Sequence, residues 1–137
     1  MPGHLIRRLN QRSTAVFQDR MKSTGYDLTS VQFAALDLLR RNPGIDQAGL
    51  ASAIAYDRAT IGEVVKRLEQ KGLVERTVNE QDRRARALHL TMNGQDVIGR
   101  LRPVVHHLQA DILGNLTDEE RAQFTTLARK AVALDDD

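Results

Sequence analysis

Placed at 100° per residue, Leu5, Ile6, Leu9, Val16 and Phe17 share one broad face, which predicts a helix over residues 4 to about 23, ended by Gly25. Thr29, with Gln32 three positions later, has the form of a capping box. It opens a second helix carrying Val31, Phe33, Ala34, Ala35, Leu38 and Leu39, which stops at Asn42-Pro43-Gly44. Asp46 caps a short third helix through Ala53. Asp57 caps a fourth over residues 58–71, and Gly72 supplies the left-handed turn that ends it. Two short helices so close together predict a helix-turn-helix.

After Gly72 the apolar period falls from 3.6 to 2. Residues 73–78 and 85–90 alternate on either side of a polar stretch, residues 79–84, which predicts a β-hairpin with a charged tip, a wing. Thr91 opens a long helix through Val97, Ile98, Leu101, Val104, Val105, Leu108, Ile112 and Leu113, bent locally at Pro103. A last helix starts at Thr117, with Glu120 completing another capping box, and is expected to bury Phe124, Leu127, Ala128 and Ala131. No internal repeat or linker interrupts this order.

The first, fifth and sixth helices carry more apolar surface than a central unit with three Phe, two Tyr and no Trp can cover. An exposed stripe of that length favours aggregation, so the economical solution is a homodimer in which the terminal helices of two chains interleave. The expected fold class is therefore mainly α with a small β-hairpin wing. Residues 26–91 are expected to form a winged helix-turn-helix unit, and residues 1–25 and 92–137 a helical dimerisation region.

A chain of 137 residues fits one domain with dimerisation arms, and 41% hydrophobic with 28% charged residues excludes disordered and low-complexity classes. The absence of cysteine removes disulfides, thiolate catalysis, zinc fingers and iron-sulfur clusters. No apolar run approaches the roughly 20 residues of a membrane span, and charge precedes any apolar stretch at the start, so a cytoplasmic protein without a membrane partner is expected. The net charge of +2 is uninformative until it is divided along the chain: +4 over residues 1–24, −2 over 25–57, +3 over 58–86, +1 over 87–110 and −4 over 111–137. Basic charge at the start and middle gives one surface a means of attracting phosphate.

On the fourth helix, Ile61, Val64, Val65 and Leu68 make one face, and the opposite face is small at its beginning and polar throughout. The first residues of a helix in the major groove reach base edges, where hydroxyl, carboxylate and guanidinium groups read donors and acceptors. Ala59, Thr60 and Glu63 are assigned to base edges, with Arg58, Lys66 and Arg67 as base or phosphate partners. The bland alternative is an ordinary charged surface. The hairpin tip, Asp82-Arg83-Arg84-Ala85-Arg86, weighs against it: three guanidinium groups on a narrow loop suit the negative potential of a minor groove, and the carboxylate can orient one of them.

The stretches Leu68-Glu69-Gln70-Lys71-Gly72-Leu73-Val74-Glu75-Arg76 and Asp82-Arg83-Arg84-Ala85-Arg86-Ala87-Leu88-His89-Leu90-Thr91 resemble the recognition-helix exit and Asp-x-Arg wing signature of the MarR transcriptional regulators. The order of elements is similar over nearly the whole chain. The resemblance implies an obligate triangular dimer that usually represses. It binds a pseudo-palindromic operator and releases it when a small, often aromatic and anionic effector occupies a pocket between the two regions. It also makes Arg84 the minor-groove arginine and Asp82 its partner, with Arg83 and Arg86 contacting backbone or serving structure. The opening His-Leu-Ile-Arg-Arg-Leu is similar to members controlling aromatic-acid breakdown.

By the same resemblance the ligand lies beside the first, second and fifth helices. His4, Arg8 and Arg12 recur every fourth residue along the edge of the first apolar face, Arg20 falls within that face, and Tyr26 and Phe33 are near in sequence. A carboxylate needs a cation and an aromatic ring needs apolar walls, so an arginine beside Phe17 or Phe33 suits such a ligand; intersubunit salt bridges are the competing use of these arginines. His106 and His107 are adjacent and point about 100° apart, which disfavours a shared metal. No Gly-rich phosphate loop, Gly-x-Ser-x-Gly or His-Glu-x-x-His occurs, so neither an enzyme nor a cofactor is expected. The alternative function is a winged-helix module that binds protein, its arginine tip facing an acidic partner.

Overall fold

The computed structural model describes residues 1–54, 56–78 and 86–133. The elements are α1 (Pro2–Thr24), α2 (Ser30–Arg41), α3 (Gln47–Ala53), α4 (Arg58–Gln70), β1 (Val74–Val78), β2 (Arg86–Leu90), α5 (Met92–Ile112) and α6 (Asp118–Ala131). Five helices begin where a short oxygen-bearing side chain accepts an otherwise unpaired backbone N–H: Thr29, Asp46, Asp57, Thr91 and Thr117. At Thr29 and Thr117 the third helical residue returns a bond to the cap, so both expected capping boxes form. α5 runs through Pro103 without interruption.

α2 is the central element, packed by α1, α3, α4, α5 and β2. Its Leu36 and Leu39 join Leu50, Ile61, Leu68, Leu88, Ile98 and Leu101 in a core from which water is excluded. Truncating one such leucine to alanine costs about 2–5 kcal/mol through lost transfer energy and the cavity left behind. α1 lies along α5 and buries Phe17 and Met21.

β1 and β2 pair antiparallel from Val74–Leu90 out to Val78–Arg86. Of the alternating apolar set only Leu73 and Val74 at the foot of the first arm and Leu88 in the second are buried, because a two-stranded ribbon leaving the core has nothing to pack on beyond its base. Leu73, expected in the strand, sits just before it, and its carbonyl accepts from Thr91 N at 3.1 Å. That junction is tight. Thr91 Oγ1 donates to the Gly72 carbonyl at 2.7 Å and accepts from Gly94 N at 3.0 Å, and a Cβ on Gly94 would stand 3.0 Å from the Leu73 carbonyl carbon. On its other edge β2 is held by Gly44 and Ile45, whose backbone bonds both sides of Leu88 at 2.9 and 3.0 Å.

One burial expectation is corrected. α6 buries no residue: Phe124 and Ala128 are half-covered, while Leu127 and Ala131 are exposed, since among the described residues α6 packs extensively on no other element. The N-terminal turns of α1 extend past the core, leaving Leu5 and Ile6 58% and 65% exposed, in line with the excess apolar surface expected of the terminal helices. No helix among the described residues is long and apolar enough to cross a membrane.

Candidate functional site

α4 divides as its sequence demands. Ile61, Val64, Val65 and Leu68 are buried, and Arg58, Ala59, Glu63, Lys66 and Arg67 are exposed on the other side. α3 sets the height of α4, with Gln47 so near Gly62 that an added Cβ would lie 3.2 Å from its Nε2. Thr60 is half-buried and engaged twice by Asp57: its backbone N–H donates to Oδ1 at 2.7 Å and its hydroxyl donates to Oδ2 at 2.9 Å. The backbone bond first, and the hydroxyl second, hold the Asp57 carboxyl below its ordinary pKa.

The charges nearby fall into two groups. Arg76 Nε meets Glu69 Oε1 at 2.7 Å and ties β1 to α4. Among the described residues, Arg58, Lys66 and Arg67 form no ion pair with a neighbour, so α4 presents three cations to solvent. Arg86 is exposed at the start of β2, opposite Val78. Asp82, Arg83 and Arg84 lie outside the described residues.

The residues expected around a ligand separate into four places. Phe17 and Phe33 come together, ring centroids 6.1 Å apart and tilted by 57°, and wall a cleft of about 310 Å³ between α1, α2 and α5. Ser13, Ser30, Asp37, Arg41 and Gln109 supply its polar groups. Arg12 and Arg20 instead serve the α1–α5 contact. Arg12 Nε donates to the Ile112 carbonyl at 2.7 Å and Nη2 to the Asp111 carbonyl at 3.2 Å, neutralising the end of α5, while Arg20 pairs with the Asp111 carboxylate. Arg20 is thus exposed at the helix edge and not within the apolar face. His4 and Arg8 are exposed on the N-terminal turns, and the Tyr26 hydroxyl accepts from Arg100 Nη1 at 3.5 Å.

Spacing along α1 did not reveal the charge centre in the wall of this cleft. The half-buried Asp37 carboxylate is approached by Arg40 at 3.1 Å, Arg41 at 3.6 Å and, from α5, Arg102 at 3.9 Å. Three guanidinium groups around one carboxylate leave positive charge in excess. The signal was present in the i, i+3 and i, i+4 spacing of Asp37, Arg40 and Arg41. His106 and His107, with rings 6.1 Å apart at 69°, line an adjoining open cleft with Asp37 and Arg102. Among the described residues no three His, Asp or Glu side chains stand close enough to hold a metal ion.

The MarR family model matches residues 28–85. The transcriptional regulator HosA of Escherichia coli O127:H6 is 35% identical over 127 residues, covering 93% of this chain and 91% of HosA. The HTH-type transcriptional repressor NicR of Pseudomonas putida is 35% identical over 134 residues, covering 98% and 84%. Among solved structures, that of Bordetella bronchiseptica BpsR, whose DNA binding is regulated by 6-hydroxynicotinic acid, aligns with a TM-score of 0.90 at 30% identity over 98% of this chain and 95% of BpsR.

Proposed function

The chain belongs to the MarR family and is a DNA-binding transcriptional regulator, not an enzyme; from that premise we propose that it works as a homodimeric repressor, released from a pseudo-palindromic operator by a small aromatic carboxylate. Residues 26–91 are the DNA-binding unit, and residues 1–25 with 92–137 the dimerisation region. The observation that carries the DNA reading is the solvent-facing side of α4, where Arg58, Lys66 and Arg67 have no ion-pair partner among the described residues while Thr60 and Glu63 stand between Arg58 and the other two. Cations free of internal partners are available to phosphates and guanines. Arg83, Arg84 and Arg86, with Asp82, are proposed for the minor groove.

Dimerisation is supported by the uncovered apolar ends of the chain: Leu5 and Ile6 on α1, with Leu127 and Val132 at and just past α6, the last two 64% and 65% exposed. Two copies that pair these segments cover both. Leu127→Arg is expected to lower the mass in light scattering toward that of one chain and to weaken operator binding; an unchanged dimer would remove α6 from the interface.

The effector is placed in the cleft walled by Phe17 and Phe33. Its 310 Å³ lies at the small end of the range for small-molecule sites, roughly 300–1,000 Å³, and so suits a single ring better than a thioester. Arg41, backed by the arginine excess around Asp37, answers a carboxylate, and the regulation of BpsR by 6-hydroxynicotinic acid supports that class. Among the residues expected to touch ligand, Phe17 and Phe33 are the ones proposed to line it. For His4, Arg8, Arg12, Arg20 and Tyr26 it would require rearrangement or a second chain.

The deciding experiment is anisotropy of labelled duplex from the promoter beside its own gene, titrated with 6-hydroxynicotinate and simple benzoates at several salt concentrations. Affinity should fall steeply with salt as phosphate-bound counterions are released, and an effective acid should free the DNA. Binding insensitive to salt would refute the DNA reading. Affinity unmoved by every such acid would refute the effector class alone.

A further inference from the structure

The N-cap of α4 does more than start the helix. Its carboxylate takes both the Thr60 backbone N–H and the Thr60 hydroxyl proton, at 2.7 and 2.9 Å. A threonine hydroxyl has one proton to give and two lone pairs to offer, and left alone it rotates to suit either a donor or an acceptor. Here the proton is committed inward, so toward solvent Thr60 can only accept. Asp57 is held below the ordinary carboxylate pKa by these same bonds, so it has no proton of its own to return. Glu63, three residues on and exposed, is also an acceptor without a donor. Residues at i and i+3 share a helix face, and their axial separation of about 4.5 Å is close to one base-pair step of roughly 3.4 Å.

We propose that Asp57 acts through Thr60 as a determinant of base preference, making the Thr60–Glu63 edge at the start of α4 an acceptor-only edge that selects the exocyclic amino group of adenine or cytosine in the major groove. This rests on the reading that α4 enters that groove. Adenine N6 and cytosine N4 are the donors on the groove floor, whereas guanine N7 and O6 and thymine O4 are acceptors. An acceptor opposite an acceptor leaves both unpaired and desolvated, which is where discrimination arises. The two carboxylates also turn this edge away from phosphate, so it faces bases while Lys66 and Arg67 meet the backbone or a guanine further along.

Asp57→Asn tests the polarity without removing the cap, since asparagine ranks with aspartate at this position. The amide oxygen keeps the Thr60 N–H, and the amide nitrogen now donates to Thr60 Oγ1. The hydroxyl proton is thereby released outward, so Thr60 can donate there while Glu63 remains an acceptor. The full-length protein and its variants are used to select duplexes from a library with a randomised central stretch, and the bound pools are sequenced. Wild type should show adenine or cytosine at one position in each half-site; Asp57→Asn should shift that position alone toward guanine or thymine by about three- to tenfold, the scale of one hydrogen bond.

Thr60→Val, which keeps the methyl and loses the hydroxyl, should flatten the same position, and Thr60→Ser should restore it. A merely structural cap would weaken all sequences together, and the removed charge would strengthen all of them together, and neither alters a ratio between bases. An unchanged preference in Asp57→Asn or in Thr60→Val, with thermal midpoints showing both folded, overturns the inference while DNA binding stands. Failure of wild type to enrich any sequence overturns the DNA reading, and the inference falls with it.

Discussion

Replacing Gly94 by alanine should destabilise this protein although glycine is a poor helix residue. Gly94 lies in the first turn of α5, whose start is pressed onto the backbone of Leu73 at the base of the wing. A Cβ there would overlap the Leu73 carbonyl oxygen and stand 3.0 Å from its carbon, and both are backbone atoms with no rotamer to change. α5 would have to lift, stretching the 3.1 Å bond from Thr91 N to the Leu73 carbonyl and the 2.7 Å bond from Thr91 Oγ1 to the Gly72 carbonyl. Overpacking of this kind costs about 1–3 kcal/mol and two weakened hydrogen bonds about 1–2 more, against a propensity gain of about 1 kcal/mol, leaving a net loss of about 2 kcal/mol.

Gly99 is the control. It sits on the same helix with nothing within 4 Å of its would-be Cβ, so Gly99→Ala should gain up to about 1 kcal/mol. Thermal unfolding followed by circular dichroism, at one fixed protein concentration so that association does not enter the comparison, should place Gly94→Ala several degrees below wild type and Gly99→Ala at or above it. Equal midpoints for the two variants would refute the close approach as the reason for a glycine at position 94.

Further outcomes follow from the caps and charges. Arg12→Ala removes the donors at the end of α5 and should cost up to about 1 kcal/mol in thermal stability; an unchanged midpoint would show those carbonyls equally well served by water. Because the folded Asp57 carboxyl is held below its ordinary value, its stabilisation is complete above the unfolded pKa of about 4 and is lost as pH falls through the folded one. The stability advantage of wild type over Asp57→Ala should therefore be flat from pH 7 to about pH 5 and shrink below that in acid-unfolding curves. An advantage that grows on acidification would reverse the assigned sign. Phe33→Ala should abolish the thermal stabilisation given by an effective acid, in a protein that still binds DNA; retained stabilisation would move the effector out of the α1–α2–α5 cleft.

What the sequence discloses is what neighbours along the chain decide. Thr29, Asp46, Asp57, Thr91 and Thr117 mark helix starts correctly because a cap involves residues only three apart. The two faces of α4 are legible for the same reason, since the period of Ile61, Val64, Val65 and Leu68 fixes which side is wet. Contacts between distant segments are not. Arg12 lies in a row with His4 and Arg8 that suits a ligand, yet α5 happens to end beside it, a hundred residues away in sequence. The alternation in the hairpin overstates its buried side because it cannot tell where the core stops. The apolar stripe of α6 is real, but among the described residues no element packs extensively on it.

The pairing of Gly44 and Ile45 with Leu88 ties the foot of the hairpin to the bend between α2 and α3, while Arg76 and Glu69 clamp its first strand to α4. Hairpin and α4 are thereby fastened to one frame, like two prongs cast in a single handle. On the proposed reading, in which α4 enters the major groove and the hairpin the minor groove, a molecule that tilts the handle would move both prongs at once and loosen both grips in step. Release of an operator would then need no part of that frame to unfold.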